Sequence, residues 1–184
     1  DEGVVTFAIL NEDYNGFLNI VDATHLKRNL HLTIQLLEAG VPMTIAMNMM
    51  DALNRKGLQL NVEKLQALIG VPISLISARK NQGMDDLISV LPTSSSKVAF
   101  NLYYGVEVES AISKISALLD STPTHLDSRW IAIQILEGNE GIFSHLSLSH
   151  ADEIRQVVAK TEQIIIEKEI ALSLKGAIFN KRRE

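Results

Sequence analysis

Three short apolar runs, "FLNIVD" at 17–22, "MTIAMN" at 43–48 and "PISLIS" at 72–77, have the length and near-continuous hydrophobicity of strands buried on both faces. Between the first two, Leu26, Leu30, Ile34 and Leu37 recur at helical spacing, with Thr24 placed to cap the start and Gly40 to end it. A second helix is predicted with Asn61 as cap, Leu65, Leu68 and Ile69 as its apolar stripe and Gly70 as its stop. Met84, Leu87, Ile88 and Leu91 outline a third. Strands that alternate with helices form right-handed parallel crossovers, so residues 1–91 are expected to be α/β, with helices on both faces of a parallel sheet.

The alternation stops after residue 91. "PTSSSK", residues 92–97, is a small-residue stretch with little to pack and is the expected linker. Residues 98–184 are expected to form a separate all-α domain. Val108, Ile112, Ile115 and Leu119 mark one amphipathic helix, and Ile154, Val157, Thr161, Ile164 and Leu172 mark another. "SRWIAIQILEG", 128–138, reads as a shorter, more buried helix ending at Gly138, with Trp130 as a core anchor.

A composition of 46% hydrophobic and 21% charged residues is that of a globular protein. The net charge of −5 gives no electrostatic footprint for phosphate backbones, whose binding needs clustered cations, so no nucleic-acid partner is expected. Without cysteine there is neither a disulfide framework nor a thiolate metal site, in agreement with a reducing, cytoplasmic setting. The longest apolar runs fall far short of the roughly 20 residues that span a bilayer. Of the five histidines, His25 and His31 are six apart and His145 and His150 five apart, spacings that do not set two ligands on one helix face, so no metal site is expected. The opening "DEGVV" lacks an initiator Met and a signal pattern, and the chain reads as part of something longer. The closing "NKRRE" is open to two readings, a solvated tail or a basic segment beside a membrane.

The candidate chemistry sits where "MTIAMNMMDA" stops being apolar, on Asn48 and Asp51. Ligands of open parallel sheets collect at the carboxyl ends of the strands. A carboxylate held there can accept two parallel N–H bonds, as from the ring N–H and exocyclic amine of guanine, a pair that adenine does not offer. The plainer use of the same residues is a turn at Asn48 and a helix cap at Asp51. Ser77 and Ala78 follow the next apolar run at the same sheet edge, where small residues let a backbone N–H approach a ligand carbonyl. Asp22, ending the first run, can cap a helix or line the site, and capping is the favoured use.

The segment "NIVDATHLKRNLHLTIQLLEAGVPMTIAMNMMDALNRKGLQLNVEKLQALIGVPI" resembles the later part of the GTP-binding domain of the ferrous iron transport protein B (FeoB) family. The shared features are the "VDA" strand end, "L-x-R-N-L-x-L-x-x-Q-L-L-E" on the helix, "GVP" before the next strand, and "NMMD" where most related GTPases carry Asn-Lys-x-Asp. "YGVEVESAI" and "RWIAIQILEGNE" resemble the helical spacer domain of the same family. The resemblance implies a partial P-loop GTPase-type sheet followed by that spacer. It carries guanine recognition onto Asn48, Asp51, Ser77 and Ala78, and places Met49 where a Lys stem usually packs on the base. The ligand implied is GTP or GDP, with Mg2+ in the intact parent, a GTPase anchored in the inner membrane of a prokaryote. The partner implied is the membrane permease domain of the same parent chain. No G-x-x-x-x-G-K-[ST] phosphate loop occurs in the 184 residues, so this chain is expected to be inactive as a hydrolase and to hold nucleotide weakly. A sheet without its first strands would expose an apolar edge, and self-association through that edge is expected. The reading from another class is a non-catalytic helical interaction module on a degenerate α/β scaffold.

Overall fold

The computed structural model describes residues 2–12, 14–91, 100–119, 126–146 and 150–184. The expected linker at 92–97 lies outside the described residues. The chain divides into two compact units, Asp1–Asn101 and Leu102–Glu184. In the first, the elements run α1 (Glu2–Asn11), β1 (Phe17–Asp22), α2 (Leu26–Glu38), β2 (Met43–Asn48), α3 (Met50–Arg55), α4 (Val62–Ile69), β3 (Ile73–Leu75) and α5 (Met84–Ser89). In the second they run α6 (Val106–Leu119), α7 (Ser128–Leu136), α8 (Gly141–Leu146), α9 (Ala151–Glu167) and α10 (Leu174–Arg183). No helix among the described residues is long and apolar enough to cross a membrane.

The strands form a parallel sheet in the order β1-β2-β3. Its register places Asp22 beside Asn48, so the first two strands end level. The continuous apolar run of β2 is explained by its central place, with Met43 to Met47 all buried. Side chains alternate between faces. On one face Asn19 donates its amide N–H to Thr33 Oγ1 at 2.8 Å, fixing α2 on β1 through a buried polar pair. On the other, Ala46 packs with Ile76 and with Leu87 of α5, and Thr44 Oγ1 donates to the Val90 carbonyl at 2.9 Å. This second face is uncovered over β1, where Leu18 and Ile20 are 42% and 60% exposed.

Several boundaries differ from the sequence expectation for local reasons. Thr24 does not cap α2. Asp22 accepts the Thr24 N–H and caps a 3-10 turn, Ala23–His25, that precedes the helix. Asn61 and Gly70 delimit α4 as expected, the first accepting from the Lys64 N–H and the second taking φ 71°. α4 buries none of its residues and Leu68 is 68% exposed, so its apolar stripe is not core. α1 carries no amphipathic signature, with Ile9 buried but Val4 and Phe7 exposed, and periodicity alone does not reveal it.

In the helical unit, Val108, Ile112, Ile115 and Leu119 of α6 are buried, as is all of α7 from Trp130 to Leu136. α9 ends at Glu167, and Glu169 turns left-handed at φ 54°. Leu172, expected on the α9 stripe, therefore lies beyond the helix and is 98% exposed. The unit also contains two forked Arg–Glu pairs. Arg129 of α7 donates to both carboxylate oxygens of Glu109 on α6, at 2.7 and 2.8 Å, and to the Leu102 carbonyl at 2.8 Å. Arg182 of α10 donates to both oxygens of Glu137 and, through Nε, to the Tyr104 hydroxyl at 3.0 Å. Within the "NKRRE" cluster the Arg182 side chain is fully buried against Glu137, whereas Asn180, Arg183 and Glu184 are exposed.

Candidate functional site

The ends of β2 and β3 bring Asn48, Met49, Asp51, Ser77 and Ala78 together. After Asn48 the chain reverses through Met49, whose φ of 65° is left-handed, and enters α3 at once. That conformation costs a non-glycine residue about 1–2 kcal/mol. The Met50 N–H donates to the Ile76 carbonyl at 3.3 Å, tying the start of α3 to the end of β3. The Asn48 Oδ1 accepts from its neighbour Met49 N–H at 2.8 Å and from the Ala78 N–H at 3.1 Å. One amide oxygen thereby stitches two loops across adjacent strand ends. Met49 is 41% exposed and presents a polarisable thioether beside them.

Asp51 sits on the first turn of α3, where a carboxylate is favoured by the helix dipole. Its side chain is only 5% exposed. The Ser77 hydroxyl donates to Oδ1 at 3.0 Å and the Arg55 guanidinium to Oδ2 at 2.8 Å. The Arg55 hydrogen bond, then that of Ser77, holds the carboxyl below the usual aspartate range, against a smaller opposing push from burial. The group is an anion at neutral pH. Each oxygen uses one acceptor site in these bonds and has a second to offer.

The Ser77 loop is itself fixed. Ser77 and Gln82 exchange backbone hydrogen bonds at 3.1 and 3.2 Å, closing a small antiparallel bridge. Gly83 completes the turn at φ 75°, and a Cβ there would lie 2.2 Å from the Leu75 carbonyl oxygen, so only glycine fits. Sequence reasoning missed Arg55 and Gly83. The signal for Arg55 was its position four residues after Asp51 in what becomes a helix.

Asp22, level with Asn48, caps rather than opens a site. Its Oδ1 accepts from the Thr24 N–H and hydroxyl, both at 2.7 Å, and its Oδ2 lies 2.9 Å from His25 Nδ1. The His25 bond is the largest of the influences that bring its carboxyl down to about 2. Asp22, His25 and Arg28 line a cavity of about 460 Å³ between β1 and α2. Among the described residues no three His, Asp or Glu side chains are grouped to hold a metal ion.

Residues 1–91 match the family model of ferrous iron transport protein B, and residues 104–184 match that of the FeoB cytosolic helical domain. The chain is 32% identical over 178 residues to the Fe(2+) transporter FeoB of Staphylococcus aureus strain MSSA476, covering 92% of this chain and 27% of that protein. It is 29% identical over 140 residues to the Fe(2+) transporter FeoB of Escherichia coli K12, covering 76% of this chain and 18% of that protein. The chain thus spans about a quarter or less of the curated relatives it matches. Its fold is similar to that of an S. thermophilus NFeoB variant bound to GMPPNP, with TM-score 0.84 and 34% identity over 98% of this chain and 70% of that one. A GDP-bound variant of the S. thermophilus FeoB G-domain gives TM-score 0.85 and 33% identity over the same shares. The chain belongs to the FeoB family of ferrous iron transport proteins, in which it represents a G-domain region followed by the cytosolic helical domain.

Proposed function

We propose that the loops at the ends of β2 and β3 read the base of a guanine nucleotide, and that the chain is the nucleotide-sensing, regulatory part of a ferrous iron transporter. The observation that carries this reading is the convergence of Asn48, Asp51, Ser77 and Ala78 across two adjacent strand ends, with Asp51 ionised and held from two sides. Similar chains from S. thermophilus are bound to GDP and GMPPNP, which supports the choice of ligand.

In this scheme the Asp51 carboxylate accepts the guanine ring N–H and exocyclic amine through its remaining acceptor sites. Adenine would leave the anion unpaired in a shielded place, a loss that gives strong selectivity. Ser77 orients the carboxylate. Asn48 holds the two loops at their spacing and has its own amide N–H groups to offer. The Ala78 N–H, now bonded to Asn48, lies at the edge where the base carbonyl would arrive, and Met49 gives one ring face an apolar contact. Phosphate and Mg2+ handling falls to elements other than these loops, because the sequence has no G-x-x-x-x-G-K-[ST] motif. In the parent, the helical unit would pass nucleotide state to a permease domain in the membrane.

The test is Asp51→Asn, with GDP and XDP affinities of both proteins measured by NMR titration. Xanthine carries a carbonyl where guanine carries its amine, so an amide N–H can donate to it. Wild type is expected to prefer GDP and the variant XDP. The same preference in both proteins would sink the assignment.

A further inference from the structure

We propose that Arg55 is a positioning residue for base selectivity: from the last turn of α3 it clamps the Asp51 carboxylate in the plane that lets both oxygens meet the base edge. This inference rests on the guanine reading of Asp51 and adds a residue to it.

A carboxylate turns about a soft terminal torsion with a broad, roughly two-fold preference. Reading guanine needs both oxygens, one for the ring N–H and one for the amine, with the carboxylate coplanar with the base. Ser77 alone fixes Oδ1 and leaves rotation about that contact open. Arg55 closes it, because its Nη1 holds the other oxygen, Oδ2, at 2.8 Å, out of α3 rather than out of the loop after β3. The two donors come from elements that the Met50 to Ile76 bond and the Asn48 amide also join, so the carboxylate is oriented by the same junction that builds the site.

Burial is divided unequally across this pair. Arg55 is 60% exposed at its side chain and Asp51 only 5%. A cation that stays largely in water can be removed with little effect on the core, whereas the anion it holds has few other donors. The guanidinium also balances the desolvation that would otherwise favour the protonated acid, and a protonated Asp51 would present a donor to the guanine amine. Arg55 therefore acts on the base through Asp51 without needing to touch it. The consequence is specific. Inosine lacks the exocyclic amine and uses one oxygen, so loss of the clamp should weaken guanine more than hypoxanthine.

The experiment compares the 184-residue wild type with Arg55→Ala and Arg55→Lys. Dissociation constants for GDP, IDP and ADP are measured by NMR titration, and the Asp51 carboxyl carbon is followed against pH. In Arg55→Ala the GDP-over-IDP preference is expected to fall about two- to fivefold, the range that an exposed ion pair can supply. The Asp51 midpoint should rise toward the ordinary aspartate value. Arg55→Lys should restore the midpoint by its charge and the preference only in part, since an ammonium lacks the planar fork. An unchanged GDP-over-IDP ratio in Arg55→Ala overturns the inference, whatever the midpoint does. A wild type that does not bind GDP, or binds GDP and ADP alike, overturns the base-site reading and this inference with it.

Discussion

Asp22 ends β1 and Asp51 lies on the first turn of α3, three residues past the end of the neighbouring β2, and the two carboxylates do different work. Asp22 spends its oxygens on Thr24 and His25 within its own turn. Asp51 is held by residues from two elements and faces the junction between them. Because the carboxyl of Asp22 is depressed in the folded state, its stabilising contribution is present above the unfolded aspartate value of about 3.9 and is lost as pH falls from there through about 2. Carboxyl NMR titration should place its midpoint near that lower limit, and His25→Ala should move it up. An unmoved midpoint would show that the Thr24 bonds suffice. Asn48 and Ser77 were legible because each terminates an apolar run, and Asp51 and Ala78 because they follow within three residues. Arg55 was not, since a basic residue in a polar stretch carries no signal until the helix places it four residues from a carboxylate. Gly83 needed the Leu75 carbonyl to give it meaning.

At the scale of elements, the strands and the longer helices followed from the spacing of apolar residues, because each buries a continuous face. The short α3 and α10 did not. α3 follows at once on the left-handed turn at Met49, and α10 starts at the Ser173 cap, buries Leu174, Ala177 and Ile178, and pairs Arg182 with Glu137. The sequence left "NKRRE" as a solvated tail or a basic segment beside a membrane, and pairing across 45 positions has no local signature. Removing one partner of a buried forked pair leaves the other charge stranded, which costs about 3–5 kcal/mol. Arg182→Ala and Glu137→Ala should each destabilise the helical unit by that order in urea unfolding. The double variant should cost much less than the sum. Additive losses would show that the charges are not coupled.

For the whole chain, β1 is an exposed edge of the sheet. The Phe17 N–H donates to the Pro42 carbonyl on the β2 side, so by strand alternation the peptide groups of Leu18 and Ile20 point to the free edge. Among the described residues those groups have no backbone partner, and both side chains are exposed. We infer that a second copy pairs there. Sedimentation velocity should show association that grows with concentration and is abolished by Ile20→Lys. A monomer at every concentration would rule it out.

The central claim is that a guanine base docks on the β2 and β3 strand ends of this chain, and amide-resolved NMR titration tests it most directly. GDP should move the Met49, Met50, Ser77 and Ala78 amide signals, with ADP leaving them in place, and added GTP should persist without phosphate release. Equal responses to GDP and ADP, responses confined to other residues, or steady turnover of GTP would contradict the account.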